Sequence, residues 1–248
     1  MRGGVIRASA ECCNLRRLFM LGDFSVYHFR ACGPGAEFSL PASHHERIAF
    51  STDGEIVANG ERLDVRDMLY APRGSRIEVR AAGRANIYVA EAMGVSKGRQ
   101  FVKRWREAVR IEAGRDSYAR IITLMLGEED PCDRLLAGYT ESVGGTWTGY
   151  PPHRHDGKPE AYIYYGMSPG FGVQLLMDEE GEEAYVVRDN DVVFIERGYH
   201  PNVGVSINGI KYAWVIAAPA GRRDLSVEVH PLFSSVPMGA SHLKIKRD

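Results

Sequence analysis

Residues Asn190–His200 read NDVVFIERGYH, and the first half of the chain carries a counterpart, RDMLYAPRGSR, at Arg66–Arg76. Each copy opens on a polar residue and an aspartate (Asp67, Asp191), runs through apolar side chains and reaches an Arg-Gly pair. The copies stand half a chain apart. The same offset sets IYVAEA, from Ile87, against KYAWVIAA, from Lys211, with Tyr88 matched to Tyr212. Self-similarity at such a period means two copies of one structural unit. Around the copies, runs such as FSVYHFRA, RIEVRA, AYIYYGM and EAYVVR are rich in β-branched and aromatic residues and are punctuated by Gly, Asn, Asp and Pro, which reads as strands. Short strands in duplicate predict an all-β protein of two tandem jelly rolls, each closing its own core, over residues 1–98 and 120–248.

Residues 99–119 lie between the two strand-rich halves. The stretch RQFVKRWREAVRIEA, Arg99–Ala113, spaces Phe101, Trp105 and Val109 on one helical stripe, so a linker or short helix is expected there. Its cluster Lys103, Arg104, Arg106 and Arg110 reads as a solvated face partnered by Glu107 and Glu112.

Charge is balanced, with 31 Lys+Arg against 32 Asp+Glu in 248 residues. No global field therefore favours nucleic acid or an anionic membrane, and no helix-turn-helix pattern is present. The only apolar run near the N-terminus, Leu18–Leu21, is too short for a signal peptide, and no stretch approaches a membrane span. A cytoplasmic protein without nucleic-acid or membrane partners is expected. Cys12, Cys13, Cys32 and Cys132 show no C-x-x-C spacing, and adjacent cysteines do not readily bridge, so four reduced thiols are expected.

The stretch YPPHRHDGKPEAYIYY, Tyr150–Tyr165, carries the chemistry. His153 and His155 are two apart, so on extended chain both leave one face while Arg154 leaves the other. After the turn, Glu160 opens a strand whose same-face neighbours are Tyr162 and Tyr164, and a hairpin would return it toward the histidines. His200 can join from an adjacent strand because Gly198 and Pro201 mark a bend. Three imidazoles and one carboxylate suit a divalent transition ion: Zn, Fe, Mn, Ni or Co. His28, His230 and His242 lack such partners. In the first half, Arg76 stands where His200 stands, LPASHH (Leu40–His45) matches Ser43 to His153, and no glutamate follows at the Glu160 position. The chemistry is therefore expected in the second half alone.

From Arg120 to about Pro219, the chain resembles the two-cupin uronate isomerases. YTESVGGTWTGYPPHRHD and EEAYVVRDNDVVFIERGYHP are most similar to 5-deoxy-glucuronate isomerase of inositol breakdown. HRHDGKPEAYIYY and Trp214 are equally similar to 5-keto-4-deoxyuronate isomerase of pectin breakdown. The resemblance implies a bicupin with one metal ion, zinc by preference, held by His153, His155, Glu160 and His200. It implies conversion of 5-deoxy-glucuronate to 5-dehydro-2-deoxy-gluconate, with the pectin-pathway reaction as the alternative, and a homo-oligomer. Departures include Glu196, where a proline is usual before the Arg-Gly turn, and a shorter segment between His155 and Glu160.

Aldose–ketose isomerisation moves a proton between neighbouring carbons through an enediol, so it needs proton carriers and an electrophile for the oxygens. Glu141, Tyr164, Gln174, Tyr199 and Tyr212 are the candidate proton carriers or orienting groups, and no single base is singled out. Arg120, which holds the position of a family arginine, is the expected partner of the sugar-acid carboxylate, with Tyr162 and Trp214 as further substrate contacts. Two other readings use the same ligands: a cupin dioxygenase, which needs redox-active iron, and a sugar-binding module without turnover.

Overall fold

Period-two alternation along the strand Lys211–Ala217 sends Tyr212, Trp214 and Ile216 to one face and Ala213, Val215 and Ala217 to the other, and both sets are buried. A strand buried on both faces has to lie in a sheet covered on both sides. The computed structural model, which describes residues 2–155 and 157–239, shows that arrangement in both halves of the chain. His242 lies outside the described residues.

The first half builds a six-stranded antiparallel sheet in the order Phe101–Lys103, Met68–Ala71, His45–Asp53, Arg84–Met93, Phe24–Cys32, Arg16–Leu21. A four-stranded sheet centred on Ile77–Ala81 faces it across a core of Phe29, Ile56, Leu63, Ile77, Ile87 and Val89. The second half builds a seven-stranded sheet in the order Gly3–Ile6, Val192–Ile195, Glu160–Tyr164, Lys211–Ala217, Leu135–Ser142, Arg120–Leu126, Val109–Ala113. A four-stranded sheet centred on Gly172–Asp178 lies opposite, and Leu176 and Val187 from it join Tyr164, Tyr212 and Ile216 in a second core. The outer faces of the two large sheets then pack on each other. Phe24, Phe50 and Tyr88 from one meet Tyr139, Ile163 and Val215 from the other in a third core, which makes four layers of sheet. The all-β expectation thus holds, and the described residues contain single 3-10 turns but no α-helix. No helix among them is long and apolar enough to cross a membrane.

The repeat has a physical cause in the turn that opens it. Arg66 (φ +75°) and Asn190 (φ +68°) both take the left-handed conformation, as do Gly74 and Gly198 at the far end of the motif. Asp67 then accepts from the Asp64 N–H (3.2 Å), and Asp191 from the Arg188 N–H (2.9 Å). Each aspartate also ties down a strand from the opposite half. Asp67 accepts from the Trp105 N–H (2.8 Å) and Arg104 (2.8 Å); Asp191 accepts from the Ala8 N–H (3.0 Å) and Arg7 (2.8 Å). Phe101–Lys103 accordingly pairs with Met68–Ala71, and Gly3–Ile6 with Val192–Ile195. The leading strand of each half completes the sheet of the other.

Two expectations are corrected. Arg99–Ala113 is not a helix or a passive linker: Phe101–Lys103 and Val109–Ala113 are strands in different sheets, flanking one 3-10 turn. Sheet edges on either side offered its backbone hydrogen bonds that outweighed the helical spacing. Phe101 and Trp105 pack on the shared core, while Val109 is exposed. Lys103 and Arg104 pair with Asp130 and Asp67, and the Arg66 guanidinium lies 3.7 Å from the Trp105 ring centroid. The thiol expectation fails for two of four cysteines, since Cys12 and Cys32 form a disulfide (Cα–Cα 5.7 Å), leaving Cys13 and Cys132 free. The Cys13 N–H bonds the Arg30 carbonyl (2.8 Å), which lays residue 12 alongside the end of the Phe24–Cys32 strand.

Candidate metal centre

The short strand His153–Arg154 pairs with Glu228–Val229, and its extended backbone puts His153 and His155 on one side and Arg154 on the other. Arg154 turns to Glu179 (2.9 Å) and Glu228 (2.7 Å). Glu160 starts the strand paired on one side with Val192–Ile195 and on the other with Lys211–Ala217. Gly198 (φ +93°) turns the chain so closely past Met177 that a Cβ there would meet its carbonyl oxygen at 2.6 Å, and two residues later His200 faces inward. Ligand atoms of His153, His155 and His200 lie within 4.8 Å of one another. Glu160 Oε2 lies 3.2 Å from His200 Nε2 and 3.6 Å from His155 Nε2.

Each imidazole is oriented through its other nitrogen. His153 Nδ1 meets the Pro151 carbonyl (2.9 Å), His200 Nδ1 the Gly198 carbonyl (2.9 Å) and His155 Nδ1 the Ser226 carbonyl (3.3 Å). A carbonyl only accepts, so Nδ1 carries the proton and Nε2 keeps its lone pair, the tautomer a metal ligand needs. Burial, with the neighbouring His200, pushes His153 down to about 3 and His155 well below the usual histidine range, so both rings are neutral. Burial also raises the Glu160 carboxyl, and the neighbouring His200 offsets this only in part.

The donor set fits a divalent ion on one further observation. Glu160 Oε2 and His200 Nε2 are buried, yet neither has a hydrogen-bond partner. Such orphaned atoms are rare because each costs ~1–3 kcal/mol. A cation held among three nitrogen lone pairs and a carboxylate satisfies both atoms and offsets the carboxylate's charge.

The centre opens into a cavity. Strand alternation decides its lining: Arg120 and Ile122, Thr140, Glu160 and Tyr162, and Tyr212, Trp214 and Ile216 come from four neighbouring strands of the seven-stranded sheet, each set on one face. Gly138 is required opposite Trp214, since a Cβ there would lie 2.4 Å from the indole and 2.6 Å from the Thr123 carbonyl. Tyr162 and Tyr212 lie against each other, ring centroids 4.2 Å apart. Arg120 is 5% exposed and donates to the Tyr118 carbonyl (3.0 Å) and more distantly to that of Met238 (3.5 Å). Among the described residues, no carboxylate forms an ion pair with it. Burial accordingly lowers its pKa.

Of the expected site residues, His153, His155, Glu160, His200, Arg120, Tyr162, Tyr212 and Trp214 line this cavity or stand around the centre. Glu141, Tyr164, Gln174 and Tyr199 do not line it. Glu141 follows Thr140, so it points to the opposite face of its strand, where Arg66 (3.1 Å) and Tyr165 (3.4 Å) hold it between the two halves. Tyr199 precedes His200 and points away by the same rule, toward Glu228. Tyr164 and Gln174 lie deeper: the phenol donates to Gln174 Oε1 (2.5 Å), and Gln174 Nε2 donates to the His200 carbonyl (2.9 Å), so the pair steadies the backbone of His200. Thr140 and Leu225 line the cavity without having been anticipated; alternation from Tyr212 and pairing with it (Thr140↔Tyr212) would have found Thr140. In the first half, Arg76 pairs with Glu78, and His45 Nδ1 lies beside Ser43 (3.4 Å).

Comparison with known proteins agrees with this architecture. An IolB-like protein of Salmonella typhimurium LT2 superposes with a TM-score of 0.81, 18% identity and coverage of 93% of this chain and 97% of that one. Oxalate decarboxylase of Lactobacillus farciminis shares the fold more distantly, with a TM-score of 0.61 and 11% identity over 79% of this chain and 77% of that one. In sequence, 5-deoxy-glucuronate isomerase of Geobacillus kaustophilus is 30% identical over 161 residues, 57% of each chain. The 4-deoxy-L-threo-5-hexosulose-uronate ketol-isomerase of Cereibacter sphaeroides is 26% identical over 171 residues, 66% of this chain and 62% of that one. The matched stretches thus span less than two thirds of either relative's length. The family model KduI/IolB matches residues 20–236, nearly the whole chain, and the protein belongs to the KduI/IolB family.

Proposed function

We propose that this protein is a metal-dependent aldose–ketose isomerase of a sugar acid, converting 5-deoxy-glucuronate to 5-dehydro-2-deoxy-gluconate. One observation carries the reading: three imidazoles and a carboxylate converge at the wall of a cavity that also holds a buried arginine with no anionic partner among the described residues. A zinc ion, or Mn2+, Fe2+, Ni2+ or Co2+ in its place, would supply Lewis acidity to adjacent carbonyl and hydroxyl oxygens.

The chain's own groups divide the remaining work. His153, His155, His200 and Glu160 would hold the ion. Arg120 receives the carboxylate in a charge-assisted, two-pronged contact and fixes which end of the sugar faces the centre. Tyr162 and Tyr212, kept protonated by burial, present O–H donors to the oxygens on which charge develops as a proton moves between the two carbons. Ile122, Ile216 and Leu225 exclude water from the same space. Substrate and product are isomers, so no oxidant or co-substrate is needed.

The relatives in the ketol-isomerase group favour a second reading, action on the 4-deoxy-5-keto uronate. Parallel incubation of metal-loaded protein with both uronates, followed by proton NMR, separates the two. Conversion of 5-deoxy-glucuronate supports the first reading, conversion of the other uronate alone supports the second, and conversion of neither refutes both.

A further inference from the structure

We propose that Lys158 is a positioning residue for the metal ligand His155, acting through the chain segment that carries Asp224 and Ser226. The inference rests on the metal-centre reading above and concerns how one ligand is held.

Lys158 is 2% exposed, yet it does not line the cavity. Its ammonium points instead at the segment beyond the last long strand. It donates to the Asp224 carbonyl (2.9 Å), the Ser226 hydroxyl (2.9 Å) and the Ser226 carbonyl (3.3 Å), and it pairs with the Asp224 carboxylate. Asp224 also accepts from the Ser226 N–H (2.9 Å), which closes the turn on itself. The Ser226 carbonyl is the acceptor that orients His155 Nδ1 (3.3 Å). Lys158 and His155 therefore share one oxygen. The other two ligand imidazoles bond carbonyls two residues away in their own chain segment, Pro151 and Gly198, so their orientation is local. His155 alone depends on a carbonyl brought from 71 residues away.

The same segment is fastened again further on, by pairing of His153–Arg154 with Glu228–Val229 and by the His230 N–H on the Pro152 carbonyl (2.8 Å). Those contacts fix its far end. Nearer His155 the segment is held by the Leu225 N–H on Glu128 (2.9 Å) and by Arg223 on the Leu135 carbonyl (2.9 Å), and Lys158 adds the bonds made to the Ser226 hydroxyl and carbonyl themselves. Burying an ammonium is costly unless it is fully hydrogen-bonded and paired, and the acceptors around Lys158 meet that condition. Groups that orient a metal-bound imidazole through its second nitrogen typically change metal affinity 10–100-fold when removed.

The test uses the full chain. Zn2+ affinity is measured by competition with a chromophoric chelator, and the visible spectrum of the Co2+-loaded protein reports ligand geometry. Lys158→Met should weaken Zn2+ binding about 10–100-fold and shift the Co2+ bands while thermal unfolding stays cooperative. Asp224→Asn, at the more accessible partner, should weaken binding in the same direction by a smaller factor, and it serves where Lys158→Met does not fold. Zn2+ affinity and Co2+ spectra unchanged within twofold in the folded variants, even with a lowered Tm, would make the clamp merely structural and overturn the proposal. A parent protein that takes up no divalent ion would overturn the metal reading itself, and the proposal with it.

Discussion

Replacing Arg120 with methionine should separate stability from substrate recognition, because the two effects have different signs. In the free protein the guanidinium is 5% exposed and bonds the Tyr118 carbonyl and, at 3.5 Å, that of Met238, with no ion pair among the described residues. Removing a buried, unpaired charge and filling its volume is worth about 1–4 kcal/mol. Losing its bond to the Tyr118 carbonyl costs about 1 kcal/mol, and the 3.5 Å contact with Met238 adds little. The balance runs from neutral to about 3 kcal/mol of stabilisation, so Tm should hold or rise. With a uronate bound the sign reverses, because the substrate carboxylate loses its charged partner. A cost of about 3 kcal/mol lowers kcat/KM about 150-fold, chiefly through KM. The assay pairs thermal unfolding without substrate with steady-state isomerisation of the uronate and of its neutral carboxamide. The carboxamide should lose far less. A variant clearly less stable than the parent, with KM unchanged, would refute the argument that Arg120 awaits an anion.

Three further outcomes follow from the same geometry. His153→Ala should leave the fold intact and abolish stoichiometric metal uptake, as read by elemental analysis of dialysed protein; retained metal would remove His153 from the ligand set. Metal at 100 times its Kd should stabilise the parent by about 2.7 kcal/mol and that variant by almost nothing. Gly138→Ala should cost about 1–3 kcal/mol, because the new methyl forces Trp214 or the Thr123 backbone to move, and a crystal structure with both unmoved would contradict this. Stability of the metal-free protein should fall on acidification. Burial holds His153 at about 3, so below the ordinary histidine pKa near 6.5 the unfolded chain takes the proton first. Each such histidine contributes up to about 1.4 kcal/mol per pH unit, while Glu160, raised by burial, works in the opposite direction. Urea unfolding at pH 7 and pH 5.5 reads the net slope, and no loss of stability over that interval would contradict the neutral, buried rings.

The all-β fold and its duplication were legible in the amino-acid order because both depend on local signals: two-residue alternation, turn residues, and an aspartate recurring half a chain later. The candidate ligand set was legible for a similar reason. His153, His155 and Glu160 share one segment, and His200 is marked by the repeat itself. Pairing partners carry no such local mark. Nothing in GGVI or FVK announces that each strand joins the sheet of the other half, since hydrogen bonding between backbones is indifferent to sequence separation. Among residues that flank the site, alternation alone separates Tyr199 from His200 and Glu141 from Thr140, but only once the inward face of each strand is known. Lys158 shows the limit most clearly. Its chemistry is that of any lysine, and only the return of Asp224 and Ser226 against it, beside His155, assigns it a place. The order of residues determined which side chains are available and which faces they share, because those follow from covalent geometry. The folded chain decided which faces meet, because that depends on burying three cores at once.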